Sequence, residues 1–395
     1  MTSKTKTKIS VIAASSMMAS LMCISLMLQG MSKAFPNASD VQIQQTYTIA
    51  YAANTVATLL AGILAKLITK KKIIFVSCIL GGWAGILGLV ATGTLTSIYI
   101  AGILAGLAAG AISVVTAVIA ENFESSERAG VIGLQSFALN IVSTLMGVAC
   151  GYLAAVRWNL PMAMFLLFFV IAIPIGLFMP TGRVERLTKE EKESGVKSKL
   201  LTPAYIKIIL CFFLYGAVNL TMSMNITFVA RDSIVSGYAS SVYTIAGCLI
   251  GLVAGPVYKV LQKKTLFVGM GLVSASYALF SLLPGTGLIM VASVLYGIGY
   301  SLSAIALNTM VAETVSPDNL TLGYQIYSTL GMLGMSLHVR LVTIPAALFS
   351  ASISVRYIWS IILIAIVFLV LLIPERSGSA LQTEAEPKAS TEDDP

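Results

Sequence analysis

The sequence predicts an all-α membrane protein with twelve transmembrane helices, built as two parallel six-helix halves. Of the 395 residues, 57% are hydrophobic and only 11% are charged, whereas a soluble domain carries roughly a quarter charged residues. Apolar runs of about twenty residues recur along the chain, and each is long enough to cross a hydrocarbon core of about 30 Å. The third observation is an internal repeat, in which each half contains an even number of apolar runs.

The apolar runs are predicted to be helices. A spanning segment must satisfy its own backbone hydrogen bonds, and the runs are too long and too uniformly apolar for barrel strands. The first run is longer than the apolar core of a signal peptide and has no clear small-residue cleavage site, so it is predicted to remain a helix. The predicted helices cover residues 9–30, 43–68, 73–91, 96–120, 130–155, 160–180, 204–229, 238–261, 265–283, 286–312, 322–349 and 354–374.

The distribution of positive charge predicts the orientation. Twenty of the 25 Lys and Arg residues fall on the side of the N-terminus, and cytoplasmic loops retain positive charge. The opposite side holds four, Lys33, Arg157, Arg231 and Arg356, and Arg340 lies inside a helix. Both termini are therefore predicted to be cytoplasmic, in the cell (inner) membrane. This distribution explains the net charge of +8 without nucleic acid as a partner. The expected partners are the lipid bilayer and a small-molecule solute, and the protein is expected to be a monomer.

The chain divides into residues 1–180 and 204–374, joined by a charged linker, 181–203, and followed by a polar tail, 375–395, that is predicted to be disordered. The two halves repeat at a shift of 192 residues: Lys71, Lys72, Phe75 and Val76 recur as Lys263, Lys264, Phe267 and Val268. Because each half contains six predicted helices, the halves run parallel.

The segment between predicted helices 2 and 3, Gly62–Lys71, resembles the pattern Gly-x-Leu-Ala-Asp-Arg-x-Gly-Arg-Lys of the major facilitator superfamily. Lys66 replaces the Asp of that pattern and Thr69 its second Gly. The resemblance implies secondary transport by alternating access, with helices 1, 4, 7 and 10 lining a central cavity and helices 2, 5, 8 and 11 contributing to it. Helix 5 lacks the Gly-Pro element of proton-driven drug antiporters, and Gly102 stands where many proton-coupled members carry Arg, so no subfamily is indicated.

Charged residues on the cytoplasmic side are predicted to form a gate. They occupy corresponding places in the two halves: Lys66, Lys70, Lys71, Glu121, Arg128, Lys259 and Glu313. The spacing of Glu121 and Arg128 resembles that of the sugar-porter branch of the same family. The alternative is that the lysines only mark the cytoplasmic side.

Arg340 is the leading candidate for contacting a solute. An intramembrane charge is costly and usually faces a cavity or a partner. At 100° per residue, Gln325, Thr329 and Ser336 share its face of helix 11, and guanidinium favours an anionic or carboxylate-bearing solute. A structural ion pair or a snorkelling side chain is the alternative. His338 falls on the opposite face and is interpreted as forming a hydrogen bond between packed helices.

Polar stripes on other predicted helices add further substrate-binding candidates: Gln29, Tyr51, Asn54, Tyr215, Asn219 and Tyr300. Methionines on helix 1 would suit an adaptable, partly apolar pocket. Any one of these polar side chains could instead hydrogen-bond a neighbouring helix.

The predicted function is secondary transport of a small organic solute, anionic or carboxylate-bearing if Arg340 contacts it. Efflux of amphipathic compounds and a non-transporting membrane sensor are the alternatives. No acidic residue falls at a predicted midplane, which argues against a carboxylate proton relay. No catalytic constellation, phosphate-binding loop or metal-ligand spacing is evident, and the five cysteines are scattered, so neither an enzyme nor a cofactor or metal site is expected.

Overall fold

The computed structural model describes residues 3–182, 202–262, 264–283, 285–316 and 320–372. These residues form helices and short connections, and no β-strand occurs among them. Most of the predicted linker and all of the predicted tail lie outside the described residues.

The first half contains six spans, α1 to α6. Three of them are single continuous α-helices: α2 (Asp40–Leu64), α3 (Lys70–Val90) and α5 (Ser125–Val156). The other three change helical geometry along their length. They are α1 (Ser3–Ser16, Met17–Leu21, Met22–Ser25 and Leu28–Ala34), α4 (Leu95–Ala111, Ile112–Val114 and Val115–Asn122) and α6 (Leu160–Leu166 and Leu167–Phe178).

The second half contains α7 to α12. These are α7 (Pro203–Ala230), α8 (Ser233–Leu252, followed by the short helix Ala254–Leu261), α9 (Lys264–Ser281), α10 (Thr286–Thr314), α11 (Leu320–Ser336, Val339–Thr343 and Ile344–Ala347) and α12 (Ile353–Leu372). Across the described residues, eleven helices are long and apolar enough to cross a membrane, and the bent pair in α11 makes twelve when counted as one span.

Local sequence sets several of the helix starts. Ser39 caps α2 by accepting a hydrogen bond from the Gln42 amide, while the Gln42 side chain returns one to the Ser39 amide. Thr202 and Asp232 cap α7 and α8 in the same position. Such caps satisfy amides that have no partner inside the helix.

The packing confirms the six-plus-six repeat. In the first half α2 packs on α4, α3 on α4 and α6, and α1 on α5 and α6. The same pairs recur six helices later, with α8 on α10, α9 on α10 and α12, and α7 on α11 and α12. The halves meet mainly where α5 packs on α8 and where α2 packs on α11. The end at which α6 ends and α7 begins is called the linker end below, and the opposite end is called the far end.

Helix 11 departs from the single straight helix that the sequence predicts. Leu322–Ser336 and Val339–Ala347 meet at a bend of 55°, and Val339–Thr343 is wound as a π-helix. The constant 100° per residue that placed Gln325 and Thr329 on the face of Arg340 therefore does not hold across the bend. The shared face of these residues and Arg340 stays a prediction.

Candidate functional site

A cavity of about 670 Å³ lies between the two halves. Its walls come from α1, α2 and α5 of the first half and from α7, α8 and α10 of the second. The wall residues used below are Met18, Met22, Tyr47, Tyr51, Ser136, Phe137, Asn140, Ser143, Ser223, Tyr243, Thr244, Cys248, Tyr300 and Asn308. This space, called the central cavity, has the size of pockets that hold small organic molecules, roughly 300–1,000 Å³.

The central cavity opens at the linker end. Its deepest wall residues, such as Tyr47, are buried near the middle of their helices. Towards the linker end, Ser136, Phe137 and Asn308 are exposed. The exposure of the walls therefore increases in one direction only.

The walls combine tyrosine rings with small polar groups. Tyr47 and Tyr51 of α2 lie edge to face with their ring centroids 5.1 Å apart. Across the cavity, the buried Tyr296 lies 5.4 Å from Tyr243 and 6.0 Å from Tyr300, centroid to centroid. The Tyr243 hydroxyl donates to the Met22 sulfur over 3.7 Å, a contact between the halves. None of the described wall residues carries a formal charge.

A network of hydrogen bonds joins the halves at the far end. Its members are Asp40 and Gln44 of α2, Asn225 of α7, Thr343 of α11 and Arg356 of α12, and it is called the cross-half network. The Arg356 guanidinium donates to Asp40 Oδ2 over 2.5 Å and to Asn225 Oδ1 over 3.1 Å. Gln44 Nε2 donates to the same Asn225 oxygen over 3.0 Å, and Thr343 Oγ1 donates to Gln44 Oε1 over 2.5 Å.

Burial gives the cross-half network its strength. Arg356 is 3% exposed, and Gln44, Asn225 and Thr343 are equally buried. A buried hydrogen bond to a charged group contributes about 1.5–3 kcal/mol. The Asp40 side chain is 51% exposed, so solvent screening reduces its share.

A second contact between the halves lies along α5 and α8. A Cβ added to Gly237 would lie 2.5 Å from the Gly147 carbonyl oxygen, so only glycine permits this approach. Ser241 Oγ donates to the Thr144 carbonyl over 2.7 Å, and the hydroxyls of Tyr152 and Tyr238 lie 2.8 Å apart. The α5–α8 contact and the cross-half network together close the far end.

The linker end is held differently. Lys70 forms an ion pair with Glu121, and Lys4 contacts Glu127 over 3.0 Å and Glu124 over 3.7 Å. The hydrogen bond from Lys4 lowers the pKa of Glu127 below its usual value. All of these residues belong to the first half. Among the described residues, no ion pair joins the two halves at this end.

Four of the seven predicted gate residues have described partners within their own half: Lys70, Glu121, Arg128 and Glu313. Lys70 and Glu121 meet as predicted, but their ion pair is intact while the central cavity is open at that end. Arg128 donates to the Phe123 carbonyl over 2.9 Å, and Glu313 accepts from Tyr258 over 3.4 Å. The three remaining gate candidates are at least partly exposed: Lys66, Lys71 and Lys259.

Two of the ten predicted substrate-binding residues, Tyr51 and Tyr300, line the central cavity. Tyr215 and Asn219 are buried in the second half, and Asn54 accepts a hydrogen bond from Thr58 over 3.3 Å. The other five are at least partly exposed and do not line the central cavity: Gln29, Gln325, Thr329, Ser336 and Arg340.

Arg340 and Thr343 have different environments in the π-helical turn. Arg340 is exposed, whereas Thr343 is buried in the cross-half network. His338 is fully buried, and its Nδ1 lies 2.7 Å from the Ala217 carbonyl oxygen of α7. This is the kind of contact between packed helices that the sequence predicts for His338.

The sequence interpretation missed two features. Arg356 was counted among the charges of the outer side and given no role, but it is buried within α12. The resemblance implied contributions from helices 5 and 8, but no wall residue on either was named. The same resemblance implied that helix 4 lines the cavity, whereas none of the described wall residues lies on α4. The spacing of Ser136, Asn140 and Ser143, four and then three residues apart, is a signal that could have identified the α5 wall.

Within the described part of the chain, no three His, Cys, Asp or Glu side chains come together in a way that could hold a metal ion.

A family model described as Major Facilitator Superfamily matches residues 9–339 and also residues 231–392. No curated protein sequence matches the chain.

Solved structures resemble the whole chain. A peptide transporter POT in complex with sulfate has a TM-score of 0.74 at 10% identity, covering 93% of this chain and 94% of that chain. The nucleoside transporter NupG has a TM-score of 0.69 at 14% identity, covering 95% of this chain and 100% of that chain. A bacterial homolog of the human lysosomal transporter Spinster has a TM-score of 0.72 at 13% identity, covering 94% of this chain and 95% of that chain. Likeness at these identities shows the fold alone.

Proposed function

Because the chain belongs to the major facilitator superfamily, we propose that it is a secondary transporter that moves a small organic solute by alternating access. The observation that carries this proposal is the central cavity, which lies between two repeated halves and opens at one end only. The solute would bind among the walls of both halves. Rocking of the halves would then close the linker end and open the far end.

The orientation belongs to the same proposal. Twenty of the 25 Lys and Arg residues fall on the linker side, so we place that end in the cytoplasm and the far end outside, in the cell (inner) membrane. The structure then corresponds to an inward-open state. The transporting unit would be the monomer, with residues 1–180 and 204–374 as its moving halves and 181–203 as their linker.

Opening to the outside would require the cross-half network to separate. Asp40 and Gln44 would leave with the first half, while Arg356 and Asn225 would stay with the second. The cost of separating them favours the inward-open state when no solute is bound. A solute can offset this cost only by binding the outward-open or occluded state more tightly.

The alternatives differ in what the cavity does. Efflux of amphipathic compounds is consistent with the Met18 and Met22 side chains of the wall. A non-transporting sensor would bind a ligand without exchanging it. The anion hypothesis depends on Arg340, which does not line the central cavity in this state.

The test begins with thermal stability of the purified full-length protein in a chemically diverse panel of metabolites, because a ligand stabilises the state that it binds. Compounds that raise the melting temperature are then tested for counterflow in proteoliposomes. We expect at least one to be exchanged. A bifunctional thiol cross-link between cysteines at 152 and 238 should abolish exchange by holding the far end closed, whereas each single variant should remain active. Binding without exchange in any condition would favour the sensor.

A further inference from the structure

We infer that the solute of the central cavity is an electrically neutral molecule with a flat ring and polar substituents, held between tyrosines of the two halves. This inference rests on the proposed function, since it names the solute class of the same site. It depends on what lines the cavity and on what does not.

The described walls of the central cavity carry no formal charge. Described wall residues on six helices contribute hydroxyls, amides, sulfur and aromatic rings, but no carboxylate, ammonium, guanidinium or imidazole. A charged solute that left water for this cavity would lose hydration without gaining a partner of opposite charge. Burial of an unpaired charge is among the costliest changes in a protein interior. A neutral solute avoids that cost.

Tyrosine rings form part of the walls of the central cavity. Tyr51 stands on α2 of the first half, and Tyr243 and Tyr300 stand on α8 and α10 of the second. All three tyrosines line the same cavity, and the ring of Tyr296 lies 5.4 Å from that of Tyr243 and 6.0 Å from that of Tyr300, centroid to centroid. Both halves therefore contribute aromatic surface to the cavity. A flat solute between them would contact both halves at once, as a ligand of an alternating-access site must.

Small polar side chains line the central cavity together with the tyrosine rings. Ser136, Asn140 and Ser143 line the α5 wall, and Ser223 and Thr244 line the opposite side. Hydroxyl and amide groups both donate and accept hydrogen bonds. They therefore recognise the hydroxyl, carbonyl and ring-nitrogen groups of a neutral solute without requiring charge.

A cation is the rival that the tyrosines themselves suggest, because an ammonium group can lie on an aromatic face. Protein sites of that kind are strongest when the cation is desolvated. A cation–π contact contributes less than the cost of removing an unpaired ion from water. The missing acidic partner also disfavours a cation.

The experiment measures binding to the purified full-length protein by calorimetry, using matched pairs of probes that differ in charge. Uridine, adenosine and phenyl glucoside are neutral, ring-bearing and polar. Their charged counterparts are uridine monophosphate, adenosine monophosphate and phenyl glucuronide, and benzyltrimethylammonium is the cationic probe. We expect at least one neutral probe to bind and its charged counterpart to bind at least about tenfold more weakly, since about 1.4 kcal/mol corresponds to tenfold.

Variants then locate the binding probe. Tyr51→Leu should weaken binding about tenfold, because it removes the aromatic contact. Tyr51→Phe keeps the ring and should retain most of the affinity. Tyr99→Leu is the matched control, since Tyr99 lies outside the central cavity and donates to the Gln42 carbonyl over 2.7 Å. An unchanged affinity for Tyr51→Leu would overturn the inference.

The other outcomes are equally decisive. If no neutral probe binds, or if a charged counterpart or the cation binds as tightly, the inference is wrong. Counterflow of the same probes in proteoliposomes separates it from the proposed function. A neutral probe that binds but is not exchanged contradicts transport and leaves the solute class standing. Exchange of the charged probes alone contradicts the solute class and leaves transport standing.

Discussion

The two ends of the molecule are closed by different means. At the far end, three buried or half-buried hydrogen bonds join α2 to α7, α11 and α12, and glycines bring α5 against α8. At the linker end, the described ion pairs stay inside the first half. The far end therefore resists separation of the halves, whereas the ion pairs of the linker end only stiffen one half. The charges that are most conspicuous in the sequence are not those that hold the halves together.

The largest effect is expected for Arg356→Gln. This change removes the guanidinium that donates to Asp40 across the two halves, and the loss of that hydrogen bond should cost the inward-open state about 2 kcal/mol after allowance for the exposure of Asp40. The population open at the far end should rise roughly thirtyfold. Pulsed electron paramagnetic resonance would measure the distance between spin labels at 37 and 350. Arg157→Gln, at an exposed arginine of the same end, should leave that distance unchanged.

A smaller effect is expected for Gly237→Ala. The new methyl group would collide with the Gly147 carbonyl, and overpacking of this kind costs roughly 1–3 kcal/mol, partly offset by the better helix propensity of Ala. The same distance should lengthen in a minority of molecules, with a lower melting temperature. Gly271→Ala is the control, because a Cβ there meets nothing within 4 Å. A melting temperature for Gly237→Ala as high as that of Gly271→Ala would show that the α5–α8 contact is looser than described.

No effect on the opening is expected for Lys70→Gln. Loss of the ion pair with Glu121 should lower the melting temperature, because Lys70 is only 3% exposed. The distance between labels at 66 and 259, one in each half, should not change. Lys72→Gln, at an exposed lysine two residues away, should change neither quantity. A longer or shorter 66–259 distance in Lys70→Gln would mean that this ion pair does regulate the gate, as the sequence predicts.

The smallest effect is expected for Arg340→Gln. Arg340 is exposed and does not line the central cavity, so the affinity for a cavity ligand should not change. Calorimetry with a neutral probe that binds the parent protein would measure this affinity, and Tyr51→Leu supplies the positive control. Weaker binding in a well-folded Arg340→Gln protein would restore the anion hypothesis.

The fold could be predicted from the sequence because its determinants are local or repeated. Each apolar run specifies its own helix, and the recurrence of Lys71 and Lys72 as Lys263 and Lys264 reveals the two halves. The family follows from the same features and from the Gly62–Lys71 segment, and the family model confirms it.

The site could be predicted only in part. Tyr51 and Tyr300 were identified because they belong to polar stripes on regular helices. The environment of Arg340 could not be deduced, since a π-helical turn changes the angle between successive side chains. Arg356 was given no role because its partner, Asp40, lies 316 positions away in the chain. Pairing over that separation depends on the packing of the two halves.

The central claim is that the two ends open in alternation and that the cross-half network holds the far end closed. Spin labels carried by non-natural amino acids would leave the five native cysteines in place. Distances for the 37–350 and 66–259 pairs would be measured in nanodiscs, for the parent protein and for Arg356→Gln. The account predicts that Arg356→Gln lengthens the 37–350 distance and shortens the 66–259 distance in the same fraction of molecules. A far end that opens while the linker end stays open would contradict it.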